Sequence, residues 1–479
     1  MQQLSGLDAS FMYFETPTTP MHVGGCSIYD PSTVPGGGKV RFKDIIRHVE
    51  QRLGQSRTFR QRAVTVPFNL DHPYWIEDPD FDIEFHIRHI ALPEPGDWRQ
   101  LCIQVARLHS RQMDLTKPQW EMTVIEGLDN IPGLPKGSFA VVTKMHHAAV
   151  DGVSGMEIIT VLHDTTPDAP PPEPKPWTPE KIPSAADLLT RAHLHNLQQP
   201  LRFAEVLSKA VPGVAKLAQQ LTAGSLRMPA TGARLAPRTR FNGKVTAHRV
   251  VEALEFPLAD FKAFRNAVPG VTINDGVMAV VGGGLRKYLK SKDDLPAESL
   301  VAMAPISVRS ESEKGTAGNS VSAMLVAIGT HIDDPLARLK FVHEEAVNSK
   351  GLTNAVGARN LSQFSQFIPG ALAGLGARLA TQFEMTDQGA AINTVITNVP
   401  GPQDPLYFAG ARMVSTFGLG PVAPGMGLIH PITSYCGKMV IAVTSDRTIM
   451  PDPAFYAQCI KDSFAEMKAA ADKAAATAA

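Results

Sequence analysis

The chain has 479 residues, of which 44% are hydrophobic and 19% charged, enough for two packed domains or one large domain with two lobes. Lysine plus arginine number 46, and so do aspartate plus glutamate, so no net charge favours nucleic acid as a partner. The four cysteines are widely spaced, which predicts reduced thiols in a cytoplasmic protein. The N-terminus has no basic region followed by an apolar one, so it does not indicate a signal peptide.

The N-terminal segment 4–25 contains the start of a helix, a proline turn and the start of a strand. Asp8 is suited to capping a short helix, and the prolines within 16–20 force the chain into an extended turn. Residues 21–29 have the pattern of a β-strand and include His22. A histidine inside a strand pattern is predicted to be structural.

The strongest candidate for chemistry is segment 145–152, Met-His-His-Ala-Ala-Val-Asp-Gly. It follows a run rich in β-branched and aromatic residues, which predicts a buried strand, and it precedes an apolar run that favours a helix. His146 and His147 therefore lie at the end of a strand, and an imidazole there can take and return a proton near neutral pH. A buried structural pair is the alternative, but Asp151 and Gly152 favour catalysis. No partner of a His-Glu-x-x-His zinc motif is present, so no metal site is predicted.

The middle of the chain is predicted to connect two lobes. Residues 164–183 are the most proline-dense part of the sequence and favour an extended, semi-rigid crossover. Residues 185–221 are apolar at helical spacing with a basic polar face. Two interpretations stay open for them: helices that pack between lobes, or a helix that lies on a membrane surface. The predicted divisions are an N-terminal lobe 1–163, a crossover 164–245 and a C-terminal lobe 246–479.

Two polar segments of the second half have the character of a binding site. Asn274 and Asp275 stand at the head of a predicted helix that runs through 289, with Thr272 or Asn274 suited to its N-cap. Asn398 lies near the end of a predicted strand, 392–399, that runs into Pro-Gly-Pro.

The ordered set of strings resembles one enzyme family. Segment 145–152 resembles the HHxxxDG active-site motif of the bacterial wax ester synthase/acyl-CoA:diacylglycerol acyltransferases, members of the CoA-dependent acyltransferase superfamily. Segment 4–25 resembles the N-terminal signature of that family, 272–279 its ND motif and 397–402 its NVPGP motif. The PLW motif matches in part, because Gln119 replaces leucine. The resemblance extends from residue 4 to about residue 453.

The resemblance implies an α/β fold of two chloramphenicol-acetyltransferase-like lobes, each a mixed sheet flanked by helices, with the active site at their interface. It implies transfer of a long-chain acyl group from acyl-CoA, the co-substrate, to diacylglycerol, without a cofactor. Fatty alcohol as the acceptor, a carrier-protein acyl donor, and a catalytically silent protein that binds lipid surfaces are the alternatives. The expected location is cytoplasmic, in peripheral contact with the inner membrane face or with lipid droplets.

Matching positions imply a role for each residue of the HHxxxDG motif. His147 would be the general base, and His146 would support its geometry. Asp151 would either orient His147 or, as the superfamily favours, pair with an arginine that holds the loop. Gly152 would let the backbone turn sharply beside the substrate path.

The second-lobe candidates are expected to bind substrate. Asn274 and Asn398 would shape the channel or polarise the oxyanion. Asp275 is included with them as a substrate-binding candidate.

Overall fold

The computed structural model describes residues 1–150, 159–175, 177–197, 236–307, 321–356 and 390–478. This part contains two six-stranded sheets, each flanked by helices, and one small three-stranded sheet. The predicted α/β fold with two lobes is therefore confirmed. Cys436 is half-buried, the other three cysteines are buried, and all four are free thiols.

The first sheet carries the His-His motif. Its strands, in spatial order, are β12 (Tyr407–Phe408), β13 (Ala411–Leu419), β2 (His22–Asp30), β7 (Phe139–His146), β6 (Trp120–Glu126) and β5 (Ile87–Ala91). Neighbouring strands are antiparallel except β5 and β6. A side chain at Gly24 of β2 would collide with the carbonyl oxygen of Thr143 in β7, so glycine permits this close pairing.

Two strands of the first sheet come from the second half of the chain. β13 pairs with β2, and β12 pairs with β13, although both follow residue 400 in the sequence. A linear division into lobes at 1–163 and 246–479 therefore does not describe which strands share a sheet. β13 follows its partner β2 by hundreds of residues in the sequence, and no local sequence pattern identifies such a pairing.

The second sheet contains β10 (Val321–Ala327), β9 (Val301–Ser307), β11 (Thr394–Pro400), β14 (Leu428–Tyr435), β15 (Lys438–Asp446) and β8 (Arg249–Pro257), in that order. Helices cover it, and the buried apolar core of this lobe lies between them and the sheet. A side chain at Gly282 of the central helix would collide with the carbonyl oxygen of Ile328, so this glycine lets the helix approach the sheet closely.

The remaining elements complete the two lobes. The helices are α1 (Gly6–Phe14), α2 (Phe42–Glu50), α3 (Ile83–His86), α4 (Trp98–Ser110), α5 (Leu258–Ala267), α6 (Ile273–Lys290), α7 (Pro335–Val356) and α8 (Pro453–Ala478). The small sheet contains β1 (Gln2–Gln3), β4 (Tyr74–Glu77) and β3 (Gln61–Val64). None of the helices in the described ranges is both long and apolar enough to cross a membrane.

The two lobes share one apolar cluster. Leu101 of α4 and Phe417 of β13 pack in it with Val251 of β8, all three nearly inaccessible to solvent. Trp98 Nε1 of α4 donates to Glu252 Oε2 of β8 at 3.0 Å, which is a polar contact between the lobes. His109 Nε2 of the same helix lies 3.0 Å from the carbonyl oxygen of Gly420, the residue after β13. The interface is therefore a packed one.

The predicted crossover begins at a fixed point. Arg52 donates to both carboxylate oxygens of Asp164 at 2.6 and 2.7 Å, and Asp164 also forms a backbone bridge with Tyr407. The described residues from 165 to 184 contain neither helix nor strand, as their proline content predicts. Residues 185–197 are helical, as predicted, whereas 198–221 lie outside the described residues.

Candidate active site

The two adjacent histidines occupy different environments. His146 is the last residue of β7 and is completely buried, whereas His147 stands in the following turn and is partly exposed. Of this pair, only His147 has surface exposed to solvent. The predicted roles, His147 as the base and His146 as a support, stay predictions.

His146 is held by a buried carboxylate. Its Nε2–H donates to Glu15 Oε2 at 2.7 Å, and its Nδ1 accepts from the backbone N–H of Ala148 at 3.1 Å. Because Nδ1 accepts, the proton of a neutral ring must be on Nε2, which fixes the tautomer. His146 therefore has both ring nitrogens occupied by the protein.

Helix α1 supports the ring of His147. The phenyl ring of Phe11 stacks on the imidazole with centroids 4.0 Å apart and planes 8° from parallel. Leu4 and Ala9 of the same region form a small apolar cluster with Ala148, the residue that follows the motif histidines. The backbone N–H of His147 donates to the carbonyl oxygen of Met21 at 2.8 Å. These contacts hold His147 at one face of its ring and at its backbone N–H.

His22 lies beside this network, in register with His146 on the neighbouring strand. It is completely buried, and burial together with the charge of Lys144 holds its pKa well below the ordinary value, so the ring is neutral. Its Nε2 is 3.9 Å from Glu15 Oε2. The structural role predicted for His22 agrees with this position.

Asp151 and Gly152 lie outside the described residues. Their predicted roles in holding and turning the catalytic loop stay predictions.

The second-lobe candidates Asn274, in helix α6, and Asn398, in strand β11, lie next to each other. The side-chain amide of Asn398 donates to Asn274 Oδ1, although 124 residues separate them. The pair borders a small pocket that is partly open to solvent. Its other lining residues are mostly apolar: Val277, Met278, Ala304, Pro305, Met324 and Ile396. The amides thus stand at the edge of a small apolar pocket between α6 and the sheet.

Asp275 takes part in the cap of helix α6. Its carboxylate accepts from the backbone N–H of Thr272 at 2.8 Å, and the Thr272 hydroxyl accepts from the N–H of Asp275, which is a complete capping box at the start of α6. The carboxylate also contacts His343 Nδ1 at 2.8 Å and is buried. Its predicted role in substrate binding stays a prediction.

Sequence reasoning missed Glu15 and Phe11. Both belong to segment 4–25, which resembles a family signature and contains no local sign of a contact with the histidines. Glu15 follows a short helix directly and precedes Pro17, and nothing in that pattern indicates a partner 131 residues later.

Two domain models of one protein family match most of the chain. Residues 4–277 match the wax ester synthase/diacylglycerol acyltransferase catalytic domain, and residues 317–468 match the WS/DGAT C-terminal domain. The chain belongs to this WS/DGAT family. It is therefore an acyltransferase, as the motif at 145–152 predicted.

Relatives of two kinds are similar to this WS/DGAT chain over nearly its full length. A provisionally assigned diacylglycerol O-acyltransferase of Mycobacterium tuberculosis is 32% identical over 94% of this chain and 87% of its own length. The O-acyltransferase WSD of Acinetobacter baylyi is also 32% identical, over 94% of this chain and 93% of its own length.

Solved structures agree with the family and with the superfamily fold. The wax ester synthase/diacylglycerol acyltransferase from Marinobacter aquaeolei VT8 superposes with a TM-score of 0.68 at 26% identity, covering 98% of this chain and all of that one. The starter condensation domain of rhizomide synthetase, solved with C8-CoA, superposes with a TM-score of 0.54 at 13% identity. It covers 98% of this chain and 94% of that one. The second likeness concerns the fold alone.

Proposed function

We propose that this WS/DGAT acyltransferase moves a long-chain acyl group from acyl-CoA to the free hydroxyl of diacylglycerol, forming triacylglycerol and CoA. The observation that carries the proposal is the position of His147, a partly exposed residue directly after β7 whose imidazole stacks on Phe11. His146 is completely buried and bound by Glu15 and Ala148, and we infer that His147 is the base of the pair.

The proposed chemistry requires one base and no covalent acyl-enzyme. His147 accepts the proton of the acceptor hydroxyl as that oxygen attacks the thioester carbonyl of acyl-CoA. The tetrahedral intermediate then collapses, the carbon–sulfur bond breaks, and the imidazolium returns the proton to the departing thiolate. A base within hydrogen-bond reach of the hydroxyl is typically worth about 100- to 10,000-fold in rate. Because the thioester is already activated, acyl transfer needs no further cofactor.

The second-lobe pocket supports an apolar acyl chain as the ligand. Its wall is formed by side chains such as Met278, Met324 and Ile396, and Asn274 and Asn398 supply polar groups at its edge. Apolar walls with a few placed polar groups are the usual composition of a small-molecule site. The C8-CoA in the rhizomide synthetase domain is a further reason to propose acyl-CoA as the donor.

Fatty alcohol is the second candidate acceptor, with a wax ester as the product. The reason is the equal identity, 32%, to the Acinetobacter O-acyltransferase WSD and to the mycobacterial diacylglycerol O-acyltransferase. Apolar pockets discriminate related acceptors by only about 1–3 kcal/mol per methylene-scale change, so a single chain can accept both.

Peripheral contact with a membrane or a lipid droplet is part of the proposal, because diacylglycerol resides in the lipid phase. Exposed apolar side chains support it. Phe68 is 84% and Leu197 63% exposed, and Asn196 donates to the carbonyl oxygen of Leu70 at 3.0 Å, which joins their two segments. Exposed apolar groups that lie together are typical of interaction surfaces.

The test is a panel of acceptors with release of CoA as the readout. Wild type and His147→Ala are each given long-chain acyl-CoA with diacylglycerol, fatty alcohol or an amine. We expect wild type to release most CoA with diacylglycerol, and His147→Ala to fold but lose nearly all turnover. Turnover retained in His147→Ala contradicts the base assignment. CoA release with amines alone contradicts the proposed acceptor class, and binding to lipid vesicles without any CoA release favours a catalytically silent protein.

A further inference from the structure

Glu15 is the most heavily engaged buried carboxylate near the motif histidines. It is the residue that ends α1, and only 3% of its side chain is exposed. Oε2 accepts from His146 Nε2 at 2.7 Å and from the backbone N–H of Met21 at 3.3 Å, while Oε1 accepts from Gln112 Nε2 at 3.2 Å. This carboxylate therefore joins four separate points of the first lobe: the end of α1, the start of β2, the end of β7 and the segment after α4.

Two of these contacts lead directly to His147. Met21 donates its N–H to Glu15 and accepts the N–H of His147 at its carbonyl oxygen, so one residue connects the carboxylate with the backbone of the base. His146, the immediate neighbour of His147, is fixed by the same oxygen. The helix that Glu15 ends also carries Phe11, on which the imidazole of His147 stacks. A shift of Glu15 would therefore displace both the backbone of His147, through Met21, and the ring of Phe11 on which His147 stacks.

Glu15 does not itself reach a substrate. Its side chain is buried, and its oxygens are occupied by protein donors. A buried carboxylate in a low-dielectric site is costly unless donors surround it, and each donor that it holds becomes fixed in place. The carboxylate of Glu15 therefore holds its donors, among them His146 and Met21, in fixed positions.

We propose that Glu15 is a positioning residue for acyl transfer, which acts on His147 through Met21 and His146. The inference rests on the proposed function, because it requires His147 to be the base. Displacing a reacting group by about 1 Å can cost about 100-fold in rate, so loss of this carboxylate should appear in kcat.

Two substitutions separate geometry from charge. Glu15→Ala removes every contact, and we expect kcat to fall about 100-fold while KM for acyl-CoA changes by less than about 3-fold. Glu15→Gln places a neutral oxygen where Oε2 stands, so His146 and Met21 keep their acceptor, and the amide of Gln112 can rotate to accept on the other side. We expect Glu15→Gln to recover most of the lost kcat. Amide hydrogen exchange of the peptide that contains His147 measures how firmly its backbone is held, and this measurement does not depend on catalysis. Exchange should be faster in Glu15→Ala than in Glu15→Gln.

Glu252→Gln is the matched control. Glu252 is another buried glutamate with a neutral donor, Trp98 Nε1, but it lies on β8 at the lobe interface. We expect its kcat per folded molecule to equal that of wild type. The proposal is overturned if folded Glu15→Ala has the kcat of wild type, if Glu15→Gln is as impaired as Glu15→Ala with unchanged exchange at His147, or if Glu252→Gln shows the same loss. His147→Ala is measured in parallel: activity retained there overturns the proposed function, whereas an inactive His147→Ala with a fully active Glu15→Ala overturns the positioning role alone.

Discussion

The end of β7 and the start of α6 differ in the kind of side chain that each contributes to the candidate site. At the end of β7, the carboxylate of Glu15 contacts the buried imidazole of His146 and the backbone N–H of Met21, and the buried imidazole of His22 lies beside them. At α6, two amides border an apolar pocket, and the nearby carboxylate of Asp275 is used by the helix cap. We infer that the first lobe performs the proton chemistry and the second lobe selects the ligand. Variants at His147, in the pocket and at the start of α6 test this division, and acid unfolding tests the buried histidines of the first lobe.

The largest effect is expected for the base itself. His147→Gln should reduce kcat by about 100- to 10,000-fold, because an amide cannot accept and return the hydroxyl proton. Stability should change little, since the ring is only partly buried. Steady-state CoA release together with thermal unfolding measures both. A variant that loses stability but keeps its kcat would place the chemistry elsewhere.

A smaller effect is expected in the second-lobe pocket. Ala304 is buried and lines it, so Ala304→Leu should fill part of the pocket. KM for long-chain acyl-CoA should rise about 10-fold, which corresponds to the 1–3 kcal/mol of a methylene-scale change. The same variant assayed with a short-chain acyl-CoA is the control, and its KM should be unchanged. An equal rise for both chain lengths would argue against the pocket as the acyl site.

Acid should destabilise the first lobe through its buried neutral histidines. Burial lowers the pKa of His48, His109 and His163 to about 4, whereas an unfolded histidine titrates near 6.5. Between these values the unfolded chain binds protons that the folded chain does not. The free energy of unfolding should therefore fall as the pH drops below about 6.5, by about 1.4 kcal/mol per pH unit for each such histidine.

His109→Gln isolates one of these groups. Glutamine can still donate to the carbonyl oxygen of Gly420, the residue after β13 that His109 contacts, but it does not titrate. Urea unfolding between about pH 7 and pH 5 should show a pH dependence that is shallower by about 1 kcal/mol per unit on average. An unchanged slope would mean that His109 is protonated in the folded chain.

The smallest effect compares two neighbours at the start of α6. Asp275→Ala should lower the free energy of unfolding by about 1–2 kcal/mol through loss of the capping box, and leave kcat per folded molecule unchanged. Asn274→Ala is the matched partner, since Asn274 is exposed and contacts Asn398. It should change KM and leave stability unaltered. The reverse pattern would return Asp275 to the ligand site.

Local patterns predicted the elements that carry the site, but not the contacts between them. The apolar run before His146 has to be a buried strand, and its end is determined by the change to turn residues, so β7 and the accessible position of His147 were predictable. Thr272 as an N-cap was predictable for the same local reason. The role of Asp275 was not, because a carboxylate at a helix start suits a cap and a ligand equally until its partners are known.

Glu15 shows a second limit. Its hydrogen bonds depend on the packing of α1, β2 and β7 against one another, and the residues that take part are up to 131 positions apart. The same limit applies to β13, whose pairing with β2 moves part of the second half into the first sheet. Both features follow from tertiary packing, on which a single sequence gives no direct information.

The place of β13 also constrains how this enzyme is made. β2 has β7 on one side and β13 on the other, so during synthesis the sheet that carries the His-His motif lacks one of its inner strands until residue 419 has left the ribosome. Until then β2 is an open, apolar edge, which is prone to pairing with other chains. A gene fragment that ends after the catalytic motif should therefore yield an aggregating product, and the nascent chain should depend on holdase chaperones until its last quarter emerges.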